Sequence, residues 1–125
     1  MIKFKTAVIE GQFKWRVIKP RLKKLIDLIS LYVELKYKKN IMITGLIRTQ
    51  AGQDSIYKDN PRYKKKPWKS VHQFGRGCDL RSWTFTMNQI NDIKKFANMV
   101  PYREGKKTCV VHNVGRGLHF HFQVL

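Results

Sequence analysis

The chain alternates between stretches with apolar residues at three-four spacing and shorter runs in which every second residue is apolar. The clearest helix starts at Pro20, which suits a first turn because it has no amide proton to leave unbonded. Leu22, Leu25, Ile26, Ile29, Val33 and Tyr37 form one helical stripe, and Asn40 is the expected stop. A second helix is predicted from Thr86, with Gln89 three residues on as the other half of a capping box. Ile90, Ile93, Phe96 and Ala97 or Val100 make its apolar face, and Pro101 follows its end. Ile41 to Thr44 reads as a short buried strand. Thr108 to His112 and Leu118 to Val124 read as two strands joined by the turn-rich Asn113-Val114-Gly115-Arg116-Gly117. Phe13, Trp15 and Val17 alternate with Lys14 and Arg16, which predicts a short strand or extended lead-in. Gln50 to Tyr57 reads as a short helix and Lys58 to Lys69 as a loop. Trp83-Thr84-Phe85 reads as an extension of the segment that ends at Arg81. Without repeats, low-complexity segments or a dividing linker, the expectation is one domain over residues 1–125.

The candidate chemistry lies in two of these stretches. Ser70 to Leu80 reads Ser-Val-His-Gln-Phe-Gly-Arg-Gly-Cys-Asp-Leu. An imidazole, His72, and a carboxylate, Asp79, are separated by Gly75 and Gly77, which let the backbone turn tightly enough for both to face one point. Leu118 to Val124 carries His119 and His121, two residues apart and therefore on one face of a strand. One of them is the candidate third ligand. Two nitrogens and one carboxylate oxygen, with a fourth position left to water, is the ligand count of a catalytic zinc site. If the hairpin closes around residues 114 to 117, His112 faces His119 across the strands, and three histidines share one surface. Cys78 and Cys109 are too few for a disulfide scaffold and read as small buried hydrophobes, with Cys78 on the face opposite Asp79.

Charge adds a second theme. Twenty-six Lys and Arg against eight Asp and Glu give a net charge of +18, a field that recruits polyanions. Nucleic acid and an anionic cell wall are the two candidates. Lys64 to Lys69 joins positive charge to Tyr57, Tyr63 and Trp68, an interleaving that can bind nucleic acid by phosphate contact and stacking. The pattern does not repeat, so the preferred reading is a basic surface loop with one anchored tryptophan. No apolar run is long enough to span a bilayer, and no apolar signal core follows the first residues, so neither a membrane span nor a secretory signal is expected.

Ser70, His72, Gly75, Arg76 and Asp79 resemble the Ser-x-His-x-x-Gly-x-Ala-x-Asp signature of the zinc D-alanyl-D-alanine carboxypeptidase superfamily. That group includes bacteriophage L-alanyl-D-glutamate endopeptidases, D-alanyl-D-alanine dipeptidases and the hedgehog signalling domain. Gly77 stands where the family usually has Ala. Gly45-x-x-Arg48 and Gln53 resemble the Gly-Tyr-Arg…Gln segment that precedes the signature, and His119-Phe120-His121 resembles the His-x-His strand of the hedgehog-type branch. His121-Phe122-Gln123 is similar to the ending of phage endolysins. The resemblance covers residues 41 to 125.

The resemblance implies an α+β fold, a small antiparallel sheet carrying the metal ligands and flanked by helices. It implies zinc (Zn2+) on His72, Asp79 and His121, with Arg48, Gln53 and Ser70 toward the substrate and Arg48 on a substrate carboxylate or carbonyl. It implies a peptidase acting on peptidoglycan stem peptides, as a bacteriophage endolysin or virion-borne lysin found in the host cytoplasm or the virion and acting at the cell wall. Phage virion or tail proteins are implied partners, and nucleic acid remains one through the basic surface. One departure matters: the family's enzymes carry an acidic general base shortly before the last histidine, and positions 113 to 118 here hold no acid. His119 is the first candidate to carry the proton instead, with His112 second and Glu104 third. The alternatives are a non-catalytic zinc-binding or structural module of a phage particle that keeps the fold, and a basic nucleic-acid-binding protein.

Overall fold

The structure is a computed structural model and describes residues 1–14, 18–47, 54–66, 71–102, 105–113 and 117–125. It is an α+β arrangement with a five-stranded mixed sheet. In chain order the elements are β1 (Ile2–Phe4), α1 (Ala7–Lys14), α2 (Pro20–Tyr37), β2 (Ile41–Gly45) and α3 (Pro61–Lys65). They continue with a 3-10 helix (Val71–Phe74), β3 (Gly77–Arg81), α4 (Met87–Ala97), β4 (Cys109–Asn113) and β5 (Leu118–Gln123). The strands lie in the order β1-β2-β3-β5-β4. The expected sheet is antiparallel from β2 onward, but β1 runs parallel to β2. The connection between those two strands contains two helices, the kind of crossover a parallel pair requires.

The apolar stripe of α2 forms as its spacing predicts. Leu22, Leu25, Ile26, Ile29 and Val33 are all buried. The helix stops at Lys38 rather than Asn40. Lys38 takes the left-handed conformation, φ 57°, and its amide donates to the carbonyl of Glu34. Residues 39 and 40 then lead straight into β2. The capping box of α4 is present in both halves: Thr86 Oγ1 accepts from the Gln89 amide at 3.2 Å, and Gln89 Oε1 accepts from the Thr86 amide at 3.0 Å.

Three local expectations give way. Phe13 lies in α1, not in a strand: its ring packs 5.5 Å from that of Phe4 and is buried with the core, while Trp15 and Val17 lie outside the described residues. The expected loop from Lys58 contains α3. Asn60 caps it, its side-chain oxygen accepting from the amides of Arg62 and Tyr63, and Pro61 fills the first position. Tyr63 is the buried aromatic of that segment, and its hydroxyl donates to Asp54 at 2.6 Å; Trp68 lies outside the described residues. Finally, Trp83-Thr84-Phe85 does not extend β3. A turn, closed by the Phe85 amide on the Ser82 carbonyl, leaves Trp83 exposed under the Arg81 guanidinium and returns Phe85 to the core. Of Gln50 to Tyr57, residues 54–56 are helical and residues 50–53 lie outside the described residues.

The sheet has two unlike faces. Ile41 and Ile43 of β2, Cys78 and Leu80 of β3, Phe120 and Phe122 of β5 and Cys109 of β4 share one buried cluster with the apolar faces of α2 and α4. Both cysteines are free and fully buried, each the register partner of Phe122. Burial pushes the Cys78 thiol well above its ordinary pKa and that of Cys109 up to about 12, so both stay protonated and inert. The residues between these positions, Asp79, His119, His121 and His112, point to the other face by the two-residue period of a strand. Among the described residues no helix is long and apolar enough to cross a membrane.

Candidate metal centre

Strand pairing brings the candidate ligands together. In register, Asp79 of β3 lies opposite His121 of β5, and His119 of β5 lies opposite His112 of β4. The register is pinned at both ends. Ser82 Oγ donates to the Leu118 carbonyl at 2.7 Å, and Asn98 exchanges two hydrogen bonds with the backbone of Cys109, at 3.0 and 2.8 Å. His72 arrives from outside the sheet. The 3-10 helix that carries it is followed by Gly75 at φ 67°, a conformation that favours glycine. Its backbone is tied down by Arg76 N to Val71 O and Lys19 N to Gly75 O.

Gly77 is where helix and strand meet most closely. A Cβ there would stand 2.6 Å from Val71 Cγ2 and 3.3 Å from His72 Nδ1. A glycine at this position is therefore what this packing of His72 requires. Gly45 plays a similar part on the other side. A bulge in β2 sets it opposite Asp79, and a Cβ there would stand 3.3 Å from Asp79 Oδ2.

One carboxylate oxygen is the focus of the site. Asp79 Oδ1 lies 3.0 Å from His121 Nδ1, 3.2 Å from His72 Nε2 and 3.8 Å from His119 Nε2. Burial by itself raises the pKa of Asp79. Hydrogen bonds from His121 and His72, and the charge of those rings, outweigh it and hold the carboxyl well below the ordinary carboxylate range. Each ring is also oriented from behind. His72 Nδ1 sits 2.7 Å from the Leu46 carbonyl and donates its proton there, so Nε2, aimed at Asp79, is the nitrogen that would ligate a metal after giving up the proton it shares with the carboxylate. His121 Nε2 is 3.4 Å from Gln123 Oε1, and the Gln123 amide donates to the Lys107 carbonyl at 2.7 Å. That arrangement leaves His121 Nδ1 facing Asp79. His72 is buried, at 3% exposure, and Asp79 and His121 are half-buried.

Two overlapping groups have their ligand atoms within 4.8 Å of one another: His72, Asp79 and His121, and Asp79, His112 and His119. The first is the set expected from the sequence. It fits a borderline divalent ion: two imidazole nitrogens and one carboxylate oxygen, each side chain positioned by a backbone or amide partner. The choice between His119 and His121 is not exclusive, since the two histidines belong to different groups around one aspartate.

Compared with protein-family models and with curated proteins, the chain matches none.

His112 and His119 face each other across β4 and β5 with ring centres 4.6 Å apart. Burial, followed by the charges of His119 and His121, pushes the His112 pKa down against the pull of Asp79, so this ring is neutral at neutral pH. Arg48, Gln53, Ser70 and Glu104 lie outside the described residues. Three contributors take parts in the site that the sequence pattern does not assign. The Leu46 carbonyl is backbone and carries no residue-type signature. The Gly45 contact exists only because of the bulge. In the sequence Gln123 stands out only as part of the His121-Phe122-Gln123 resemblance, and its place behind the His121 ring comes from the structure.

Proposed function

We propose that this chain is a zinc-dependent peptidase that cleaves peptidoglycan stem peptides, with the hedgehog and D-alanyl-D-alanine peptidase type of fold. The observation that carries the reading is the convergence of His72 Nε2 and His121 Nδ1 on Asp79 Oδ1, at 3.2 and 3.0 Å. Zinc held by these three residues would polarise a peptide carbonyl and lower the pKa of a water in the site to about 7. Asp79 keeps its charge at any working pH and so offsets part of the ion's. The Leu46 carbonyl and Gln123 keep the two imidazoles in the tautomers that bind. His119, with Nδ1 3.4 Å from the Gly117 carbonyl, turns Nε2 toward the same carboxylate. It is placed to accept a proton at Nε2 and return it to the leaving amine, the work done by an acid in the resembling enzymes; His112 stands behind it. On the resemblance, Arg48 is assigned to a substrate carboxylate or carbonyl, and Gln53 and Ser70 to the substrate. The net charge of +18 would concentrate the protein on an anionic wall.

A second reading has its own support. Among the described residues, neither candidate ligand group contains a carboxylate besides Asp79. A zinc-binding or structural module of a phage particle needs no proton carrier and fits the same ligands. Digestion of purified peptidoglycan by protein of measured zinc content separates the two. New amino termini should appear with the zinc-loaded protein and disappear on chelation. His119→Ala with full zinc should lose about 10²–10⁴-fold in rate, the usual worth of a general acid–base group. Fully loaded protein that releases no termini would favour the module.

A further inference from the structure

Asp79, His112 and His119 form a second set of two nitrogens and one carboxylate oxygen. His112 Nε2 is closed off from solvent and has no hydrogen-bond partner among the described residues. A buried ring nitrogen left in that state costs free energy that a ligand would recover. His119 is oriented in a way that also suits a ligand. Its Nδ1 lies 3.4 Å from the Gly117 carbonyl, which leaves Nε2 as the free acceptor, 3.8 Å from Asp79 Oδ1. Both rings are fixed by strand pairing, with centres 4.6 Å apart.

We propose that the protein has a second divalent-cation site, made by Asp79, His112 and His119, adjacent to the first and sharing Asp79 with it. The donor set suits a borderline ion such as Zn2+ or Co2+ and discriminates against Mg2+ and Ca2+, which take oxygen ligands. A carboxylate that bridges two metals is an ordinary arrangement in two-metal sites. The second site is the weaker of the two. It lacks the buried His72 ring with its 2.7 Å anchor on Leu46, and its ion sits close to another dication. One consequence rests on the proposed function: an ion there occupies the nitrogens that would carry the proton, so excess zinc silences the peptidase that the first zinc creates.

The test is stoichiometry, which requires no catalysis. All four histidines of the chain, His72, His112, His119 and His121, belong to the cluster, so imidazole-bound metal reports on it alone. Metal-free protein is titrated with Zn2+ by equilibrium dialysis, and with Co2+ followed by its visible spectrum. The folded state of each variant is checked by circular dichroism. Wild type should bind two ions, the second about 10-fold or more weaker, as loss of outer-shell positioning costs metals about 10–100-fold. His112→Gln, and separately His119→Ala, should bind one. His72→Ala should keep one, held at the second site. A wild-type titration that ends at one ion overturns the proposal, with no variant needed. Two ions still bound by His112→Gln would overturn it as well. Two ions on a protein that cuts nothing would support the site while removing the peptidase reading. Cleavage by a protein that never takes a second ion would do the reverse.

Discussion

Asp79 and Asp92 are built alike and do different work. Each gathers three polar side chains around a single carboxylate oxygen. Asp79 Oδ1 has His121, His72 and His119 around it, at 3.0, 3.2 and 3.8 Å. Asp92 Oδ2 has the hydroxyls of Tyr37 and Tyr32, the latter at 2.8 Å, and the Lys36 ammonium at 2.9 Å, which together tie α4 to α2. Both carboxyls lie below their ordinary range. For Asp92 the hydrogen bonds from Tyr37 and Lys36 bring the pKa to about 2. The difference is in the donors. Burial and then the bond to Asp92 push the Tyr37 phenol up to about 12, and the bonds to Tyr32 and Asp92 raise the Lys36 ammonium. Those groups keep their protons and have no lone pair to give a metal. An imidazole has a ring nitrogen whose lone pair can bind a metal, so the same geometry around Asp79 is compatible with a metal ion. Partner chemistry and burial together separate a tether from a candidate centre: Asp92 is the more exposed of the two.

Exchanging the two aspartates in turn is the strongest way to break this contrast. Asp79→Ala should lower zinc affinity by more than about 100-fold, beyond the cost of losing an outer partner, while Asp92→Ala should leave it within about 3-fold. Competition with a chromophoric chelator reads both. Equal losses would mean that zinc affinity reports general stability and nothing local.

Zinc itself should sharpen the contrast. At about 100 times its dissociation constant it should stabilise wild type by about 2.7 kcal/mol, provided it binds only the folded chain. Asp92→Ala should show the same increment in thermal melts and Asp79→Ala none.

Gly77→Ala tests the scaffold under the first aspartate. Its new methyl meets Val71 Cγ2 at 2.6 Å, so the helix carrying His72 must move. A loss of about 1–3 kcal/mol in urea unfolding is expected, with weaker zinc binding, because overpacking is relieved by backbone shifts. Unchanged zinc affinity would show that His72 is held from the Leu46 side alone.

The smallest effect belongs to the tether. Asp92→Asn should cost about 1–2 kcal/mol at pH 5, the worth of hydrogen bonds to a charge reduced by the water that reaches it. The folded pKa, about 2, lies below the unfolded value of about 3.9, so this contribution is complete above about pH 3.9 and is lost as pH falls toward 2. Urea unfolding of wild type and variant should therefore converge between pH 5 and pH 2.

What the sequence determined was periodic or local. The stripe of α2, the Thr86–Gln89 capping box and the alternation of Phe120 and Phe122 with His119 and His121 each depend on residues within a turn or a strand length. The turn-rich residues 113–117 announced a hairpin, but its register, with His112 against His119, was only one way of closing it and is fixed by the strand pairing. The α3 helix was legible in principle from Asn60-Pro61, a cap followed by a first-turn proline, but the lysines after it mimic a loop. Other features were decided only by the tertiary structure. The parallel pairing of β1 depends on how two helices pack before the chain returns. The tautomer of His72 is set by a carbonyl 26 residues away in sequence. The membership of His119 and His121 in separate ligand groups depends on which third strand or helix each faces. A strand's period fixes the side of the sheet a residue takes; only the packing of distant segments fixes the atoms it meets there.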